Sequence, residues 1–310
     1  MTDVQSAPRY AAITLGSNSF NMLVAQTVAG KPNVIAKYKR KVRLAQGIGS
    51  DGVLSDEAFD RGIDCLKMFA DMLDKEGVAR QHVAVIATAT LRSIKNAQAF
   101  SDTALPILQQ PIEIISGLRE AELIYQGMAA TTAGEGRRLV IDIGGASTEF
   151  IVGDGDSVLF KQSLPIGCVT FNSLFFNDFP FQELDFNSAS DKVQQTLGDY
   201  AQELRRLGWH GVVGASGSVQ SVIELLNHRS MTATITPQVL QQLQLEILSQ
   251  PEQSMLGIEG LHPERAPTFA AGVAILQALF TLLEIDKLNL SGGALREGVL
   301  QQLANQVAAQ

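Results

Sequence analysis

Two segments with the same pattern, one in each half of the chain, constrain the fold more than any other feature. Each has an apolar strand, a tight turn of glycine, serine and other small residues, and then a second strand. The first turn covers residues 16–19 and the second covers residues 144–147. A supersecondary unit that recurs in this way is typical of two similar lobes. The sequence therefore predicts two related lobes with one small-residue turn each.

The strand and helix patterns around these turns predict an α/β protein. In the first half, strands expected at 9–15, 20–28, 33–43, 82–88 and 112–115 alternate with helices expected at 56–76, 102–109 and 117–131. In the second half, strands are expected at 138–143, 148–152 and 287–290, and helices at 187–207, 218–226, 267–283 and 297–307.

Chain length and one linker-like stretch set the domain boundary. A chain of 310 residues is about twice the usual domain size. The stretch 131–136 is small, polar and glycine-bearing, and it precedes a strongly apolar strand. We expect lobes at 1–130 and 131–310, with the last helix packing back on the first lobe or against another subunit in a homodimer.

Composition limits the classes of function. Hydrophobic residues make up 45% of the chain and charged residues 18%, as in an ordinary globular protein. The formal charge of −8 argues against binding to a nucleic-acid polymer. The N-terminus is polar, and we expect no run of the roughly 18 uncharged apolar residues that a membrane span needs. Cys65 and Cys168 are too far apart in sequence to indicate a disulfide framework or a zinc site. We expect a cytoplasmic protein that does not bind membranes.

Small-residue turns follow apolar strands at 16–19, 144–147, 214–218 and 291–293. Glycine lets backbone N–H groups come close to an oxyanion, and a helix N-terminus after the turn adds favourable partial charge. A single strand followed by glycines is more often only a turn. Several in one chain predict a site that holds phosphate groups.

A run of basic residues gives a second, independent signal. Lys37, Lys39, Lys41 and Arg43 recur at every second position, so on a strand all of them would project from one face. Such a face would attract a polyanion. The alternative is protection of an edge strand by lysine side chains.

Motifs spread over most of the chain resemble those of the exopolyphosphatase and guanosine pentaphosphate phosphohydrolase family. The resemblance runs from about residue 10 to about residue 300, and the segments 39–45 and 143–146 are more similar to the guanosine pentaphosphatase branch. It implies the actin-like ATPase (ribonuclease H-like) fold, with the active site in the cleft between the lobes. Many family members continue into a helical C-terminal region that this sequence does not include. The segments that carry the resemblance are 12–20, 87–92, 115–121, 142–149, 167–169, 214–220, 264–266 and 292–298.

The resemblance assigns roles to acidic residues. Glu120 matches the catalytic glutamate, which accepts a proton from the attacking water; an ordinary exposed glutamate in the first turn of a helix, capped by Ser116, is the alternative. Asp142, at the end of an apolar strand, matches a residue that binds Mg²⁺ or another divalent cation. Glu149 would orient water or the metal, and a solvated strand position is its alternative.

The resemblance also implies a set of phosphate-binding residues. Arg92 and Arg265 match arginines along the phosphate path, although either could be a surface ion-pair partner. Lys39, Lys41 and Arg43 form the expected polyanion patch. The remaining members of the set are Gly16, Ser17, Asn18, Ser19, Gly144, Gly145, Ala146, Ser147, Thr148 and Gly217.

Two positions depart from the family pattern. Thr14 stands where the family usually has aspartate, so the expected metal site loses one carboxylate. Arg119 replaces a glutamate that commonly precedes the catalytic one, which should favour anion binding.

The expected function is removal of the terminal phosphate of guanosine pentaphosphate, of inorganic polyphosphate, or of both. The alternative is a catalytically weak protein that senses guanosine tetraphosphate, guanosine pentaphosphate or polyphosphate.

Overall fold

The computed structural model describes residues 8–308, so most of the polar N-terminus and the last two residues lie outside the described part. The chain forms two compact units. One runs to Thr131 and resumes at Gly293, and the other is Thr132–Gly292. The division at 131 and 132 falls in the small polar stretch that marks the boundary in the sequence.

The first unit is built on a five-stranded sheet in the order β3-β2-β1-β4-β5. Strands β1, β2 and β3 form an antiparallel meander, whereas β4 and β5 run parallel to β1. Its elements before the boundary are β1 (Arg9–Leu15), β2 (Phe20–Val28), β3 (Lys31–Arg40), α1 (Asp56–Lys75), β4 (Val83–Ala87), α2 (Ala89–Ser93), α3 (Ala97–Leu108), β5 (Ile112–Ile114) and α4 (Gly117–Thr131).

Helix α1 shows how local sequence sets an element of this unit. Ser55 caps its N-terminus by accepting a hydrogen bond from the Ala58 amide at 3.4 Å. Acidic residues in the first turn and Lys75 in the last turn complement the helix dipole. The apolar stripe of α1, which includes Leu66 and Phe69, is buried in the core beside the sheet. The helix expected at 56–76 is therefore confirmed.

The second unit repeats the sheet of the first. Its six strands have the order β10-β11-β9-β6-β7-β8, with β6, β7 and β8 antiparallel and β9 parallel to β6. Strands β8-β7-β6-β9-β11 thus match β3-β2-β1-β4-β5 in order and direction. The elements are β6 (Arg138–Ile143), β7 (Thr148–Asp154), β8 (Ser157–Leu164), α5 (Cys168–Phe175), α6 (Glu183–Leu197), α7 (Tyr200–Leu207), β9 (Gly211–Ala215), α8 (Ser216–His228), β10 (Thr234–Ile235), α9 (Pro237–Leu248), α10 (Phe269–Leu283) and β11 (Leu288–Leu290).

The last helix, α11 (Leu295–Ala308), belongs to the first unit and not to a lobe at 131–310. Two glycines explain this. A Cβ at Gly127 of α4 would overlap the Ala294 carbonyl, and a Cβ at Gly298 would overlap the Leu123 carbonyl. The backbones of α4 and α11 therefore touch. The apolar face of α11 joins a buried cluster that includes Tyr10, Leu23, Ile86, Leu123, Val299, Leu300 and Leu303.

Two predicted helices have different bounds. The single helix expected at 187–207 is α6 followed by α7, because Gly198 at the end of α6 has a left-handed φ of 50°. The short helix expected at 102–109 begins earlier, at Ala97, and tolerates Pro106 in its interior.

The expectation that no uncharged apolar run reaches membrane-spanning length is wrong. Within the described residues, Ala266–Leu283 forms one helical stretch of 18 residues that is long and apolar enough to cross a bilayer. Most of this stretch is buried inside the protein. Helix α10, which makes up most of it, packs in the second unit against helices that include α6 and α9. Its apolar composition is that of a central core helix, which is buried on nearly all sides.

Candidate functional site

Glu120 lies in the first turn of α4 in the first unit. Ser116 precedes this helix, and its Oγ accepts a hydrogen bond from the Arg119 amide at 3.2 Å. Glu120 is only 7% exposed, so it is not an ordinary solvated first-turn residue. Arg92 Nη1 lies 3.6 Å from Glu120 Oε2 and also donates to the Ile115 carbonyl at 2.6 Å. The guanidinium therefore has a fixed place beside the carboxylate and offsets the cost of burying it.

The small-residue turn of the first unit is closed by its own backbone. The amide of Gly16 donates to the Ser19 carbonyl at 3.1 Å, so it serves the turn. The segment after β3 holds the turn from outside: the amides of Arg43 and Ala45 donate to the carbonyls of Asn18 and Ser17 at 2.9 and 3.0 Å. The turn is a rigid part of the unit, consistent with a preformed anion site.

A row of side chains crosses the sheet beside this turn. Thr14 on β1 lies opposite Asn21 on β2, which lies opposite Lys39 on β3. Residues directly opposite each other share one face of an antiparallel sheet. Thr14 is 4% exposed, and Asn21 Oδ1 lies 3.5 Å from Arg296 Nη1 on α11. This row carries cationic and neutral groups.

The expectation that four basic residues share one strand face is wrong. Strand β3 ends at Arg40, so Lys41 and Arg43 lie beyond it. Arg43 has a left-handed φ of 55°, and its amide bonds to the turn at Asn18 and not to a strand ladder. Lys37 and Lys39 alone share the exposed face of β3 as predicted.

The corresponding row in the second unit is acidic. Asp142 on β6 lies directly opposite Glu149 on β7, and Glu149 lies directly opposite Ser163 on β8. Asp142 is 4% exposed and Glu149 is 1% exposed, so Glu149 is not a solvated strand residue. Ser163 Oγ donates to Glu149 Oε1 at 2.7 Å. Ser163 is absent from the residues predicted from the sequence. Its position directly opposite Glu149 in the strand pairing is the signal that identifies it.

The turn at 144–147 is built like the turn of the first unit. Its Gly144 amide donates to the Ser147 carbonyl at 2.8 Å. The first amides of α5 hold it from outside, with Cys168 donating to the Gly144 carbonyl at 3.0 Å. Thr148 is fully buried, and its hydroxyl donates to the Ile166 carbonyl. The Thr148 side chain therefore supports the turn.

A third turn leads from β9 into α8. Ser216 has a left-handed φ of 66°, and Ser218 Oγ is buried without a hydrogen-bond partner among the described residues. A Cβ at Gly217 would lie 3.3 Å from Arg265 Nη1. Arg265 Nη2 lies 3.2 Å from both carboxylate oxygens of Glu224. The turn thus meets a guanidinium that already has an anionic partner.

Other predicted groups have structural partners. Arg119 Nη1 donates to Glu122 Oε2 at 2.8 Å, so part of its charge is offset within α4. The fourth turn, 291–293, donates from the Gly292 amide to Thr132 Oγ1 at 2.8 Å. That contact ties the end of the second unit to its beginning.

The residues of the acidic row fit a hard divalent cation. Two buried carboxylates on facing strand positions supply oxygen ligands, which Mg²⁺ prefers while it keeps several waters. Among residues 8–308, no group of three His, Cys, Asp or Glu side chains gathers for a metal. Thr14 lies in the other unit's row and supplies no charge. Within the described part of the chain, Asp142 and Glu149 are the carboxylates that this row offers to a cation.

Comparisons with known proteins agree with this arrangement. The model of the Ppx/GppA phosphatase family matches residues 23–307. The guanosine-5'-triphosphate,3'-diphosphate pyrophosphatase of Vibrio parahaemolyticus is 45% identical over 99% of this chain and 61% of its own length, and that of Vibrio vulnificus is equally similar. The chain thus spans about three fifths of the length of these relatives.

Solved structures show the same fold. A crystal structure of an exopolyphosphatase from Cytophaga hutchinsonii is 26% identical, with a TM-score of 0.87 over 96% of this chain and 98% of that one. The Aquifex aeolicus member of the Ppx/GppA family is 25% identical, with a TM-score of 0.79 over 96% and 98%. The two mixed sheets, with their matching strand orders and turns, define an α/β protein built from two repeated units. Within that class, the chain belongs to the Ppx/GppA phosphatase family.

Proposed function

We propose that this protein is a phosphohydrolase. It removes the terminal phosphate of guanosine pentaphosphate, of inorganic polyphosphate, or of both. The observation that carries the proposal is the buried Glu120 carboxylate held beside Arg92. Two relatives at 45% identity are named guanosine-5'-triphosphate,3'-diphosphate pyrophosphatases, and a structural relative is an exopolyphosphatase.

Glu120 acts as the general base in this proposal. It accepts a proton from the water that attacks the terminal phosphorus, a contribution of about 10²- to 10⁴-fold for a placed base. Arg92 keeps the carboxylate in place through the Ile115 carbonyl and presents its charge to a phosphoryl oxygen. The amides of Ser17, Asn18 and Ser19 are donors for phosphate oxygens, because the Gly16 amide is used by the turn.

The second unit contributes groups of two kinds. The amides of Gly145, Ala146 and Ser147 are the corresponding donors, since the Gly144 amide closes that turn. Asp142 and Glu149 would hold the divalent cation. Arg265, which lies beside Gly217, contacts a phosphate group further from the cleaved end of the bound phosphate chain. A bound Mg²⁺ supplies Lewis-acid stabilisation of the phosphate charge.

The preferred ligand is a soluble polyanion. Lys39 belongs to the row that contains Thr14, and Lys37 shares its exposed face. Neighbouring ammonium groups attract a molecule with closely spaced phosphates. The net charge of −8 disfavours a nucleic-acid polymer, so we propose free nucleotide or polyphosphate in the cytoplasm as the ligand.

A second candidate function is binding without efficient hydrolysis. The observation in its favour is Thr14, which is 4% exposed on β1 and stands where the family usually has aspartate. With one carboxylate fewer than the family pattern, the protein would bind guanosine tetraphosphate, guanosine pentaphosphate or polyphosphate and pass the bound state to a partner.

Phosphate release in the presence of Mg²⁺ separates the two functions. The substrates are guanosine pentaphosphate and polyphosphate, and the proteins are wild type, Glu120→Gln, Thr14→Asp and the control Glu113→Gln, which changes an exposed carboxylate on β5. Release by wild type and Glu113→Gln but not by Glu120→Gln supports the hydrolase. Tight nucleotide binding without release, together with release gained in Thr14→Asp, supports the sensor.

A further inference from the structure

The Ser163 hydroxyl lies next to the Glu149 carboxylate, and the proposed reaction gives this hydroxyl no role. Ser163 on β8 donates from Oγ to Glu149 Oε1 at 2.7 Å. The strand register makes this contact a property of the sheet, because Ser163 is directly opposite Glu149. Asp142 is directly opposite Glu149 on the other side. The three side chains therefore form one continuous row across β6, β7 and β8.

The hydrogen bond from Ser163 restrains the Glu149 side chain. A glutamate side chain rotates about several bonds, and its terminal torsion is broad. The Ser163 hydroxyl donates to one carboxylate oxygen, Oε1, and so restricts the positions that this oxygen can take. A hydroxyl that donates to a charged acceptor forms one of the stronger hydrogen bonds in proteins. At 1% exposure, water has little access to Glu149 to replace this donor.

We propose that Ser163 is a positioning residue whose hydroxyl holds the Glu149 carboxylate in the orientation that completes, with Asp142, a site for a divalent cation. Ser163 acts through Glu149 and touches no substrate. Its effect on catalysis rests on the proposed function. Its effect on cation binding does not require hydrolysis. Outer partners that orient metal ligands typically change metal affinity or activity by about 10- to 100-fold when they are removed.

The test uses the full chain with four substitutions, one of which, Glu149→Gln, removes the charge of the carboxylate itself. Ser163→Ala removes the hydroxyl, Ser163→Thr keeps a hydroxyl on a β-branched side chain that suits a strand, and Ser157→Ala removes an exposed hydroxyl from the same strand as a control. Two quantities are measured: Mn²⁺ binding, from the electron paramagnetic resonance signal of free Mn²⁺, and phosphate release from guanosine pentaphosphate. Near-ultraviolet circular dichroism checks that each variant keeps its packed core.

We expect Ser163→Ala to bind Mn²⁺ about 10-fold more weakly. We also expect it to lower kcat about 10-fold, with little change in KM for the nucleotide. Ser163→Thr should restore most of both, and Ser157→Ala should equal wild type. Wild-type Mn²⁺ affinity in Ser163→Ala, equal losses in the alanine and threonine variants, or wild-type protein that binds no Mn²⁺ would each overturn the proposal.

The two measurements separate this inference from the proposed function. If wild type binds Mn²⁺, Ser163→Ala binds it more weakly and neither releases phosphate, the hydrolase proposal fails and the positioning role stands. If Glu149→Gln loses phosphate release while Ser163→Ala keeps wild-type release and Mn²⁺ binding, the positioning role fails and the hydrolase proposal stands.

Discussion

Two arginine–carboxylate pairs in the second unit differ in what they do at the scale of single residues. Arg265 meets both oxygens of Glu224, and Arg229 forms a two-point pair with Glu246 at 3.0 and 2.7 Å. The two pairs have different consequences. Arg265 adjoins the β9–α8 turn, so its pair competes with any anion at that turn, whereas the Arg229 pair joins α8 to α9 and acts on stability.

Replacing Glu224 should strengthen anion binding at Arg265. In Glu224→Gln the guanidinium loses its charged partner, and we expect guanosine tetraphosphate to bind about 3- to 10-fold more tightly, the range that a partly exposed ion pair of about 1 kcal/mol allows. Isothermal titration calorimetry measures the change. Glu252→Gln, an equal change of charge at an exposed position, is the control. Unchanged or weaker binding in Glu224→Gln would remove Arg265 from the phosphate path.

The pair between Arg229 and Glu246 should make stability depend on pH. The hydrogen bonds from Arg229 lower the pKa of Glu246 below its usual value of 4.5. A carboxyl group with a lowered pKa in the folded state stabilises the protein above its unfolded pKa, and that stabilisation disappears as pH falls through the folded pKa. The wild type should therefore exceed Glu246→Gln in unfolding free energy by about 1–3 kcal/mol at pH 7. Urea unfolding should show this difference shrinking below about pH 4.5; a constant difference down to pH 3 would contradict it.

At the scale of elements, the same sheet pattern carries a basic side chain in one unit and acidic side chains in the other. The row Thr14, Asn21 and Lys39 corresponds by strand order to the row Asp142, Glu149 and Ser163. The backbone is the same in both, with a turn closed by its first glycine amide. One copy presents a cation suited to phosphate, and the other presents carboxylates suited to a metal. The repeat therefore gives the two units matching rows that carry side chains of opposite charge.

Helix α4 is positioned by its close contact with α11, and this can be tested. A methyl group at Gly127 or Gly298 would overlap the backbone of the partner helix. We expect Gly127→Ala and Gly298→Ala each to lower the unfolding free energy by about 1–3 kcal/mol, the usual cost of overpacking. Because α4 carries Glu120, phosphate release should fall as well. Thermal unfolding and the release assay measure both effects.

Gly211→Ala is the control for that pair, because a Cβ at Gly211 meets no atom within 4 Å. It tests whether loss of glycine alone has an effect. Wild-type stability in both helix variants would show that the two helices can separate at no cost.

Patterns within one element predicted much of this fold, and contacts between distant elements explain what was missed. The strand–turn–strand repeat and helix α1 follow from local apolar spacing and capping. The end of β3 at Arg40 could not be predicted from the neighbouring sequence, because the alternating basic pattern continues to Arg43. The strand ends there because the Arg43 amide donates to the Asn18 carbonyl of the turn. The 18-residue apolar stretch at Ala266–Leu283 has the composition of a membrane span, and only its burial identifies it as a core helix.

The candidate site divides in the same way. The sequence identified Glu120, Asp142 and Glu149 as chemically unusual, and their burial supports that reading. It did not identify Ser163, because a serine in a strand has no distinguishing signal until its partner across the sheet is known. The resemblance to a known family singled out the acidic groups, but the strand register was needed to find the hydroxyl that donates to one of them.

At the scale of the whole molecule, the first unit is made from two separate stretches of chain and the second from one. Without residues 293–310, the first unit would lose the face of α11 that covers Tyr10, Leu23 and Leu123. The fragment 132–292 should therefore fold alone, whereas 1–131 should not.

Gly293 lies beside the Thr131 side chain, so a short glycine–serine linker can join 131 to 293 without strain. We expect this fused fragment to give a dispersed amide NMR spectrum and a cooperative melt, and the 1–131 fragment to give neither. A cooperative melt of 1–131 by itself would mean that α11 is an accessory to the first unit, and the close contact at Gly127 and Gly298 would then serve to place α4 and its glutamate without being needed for folding.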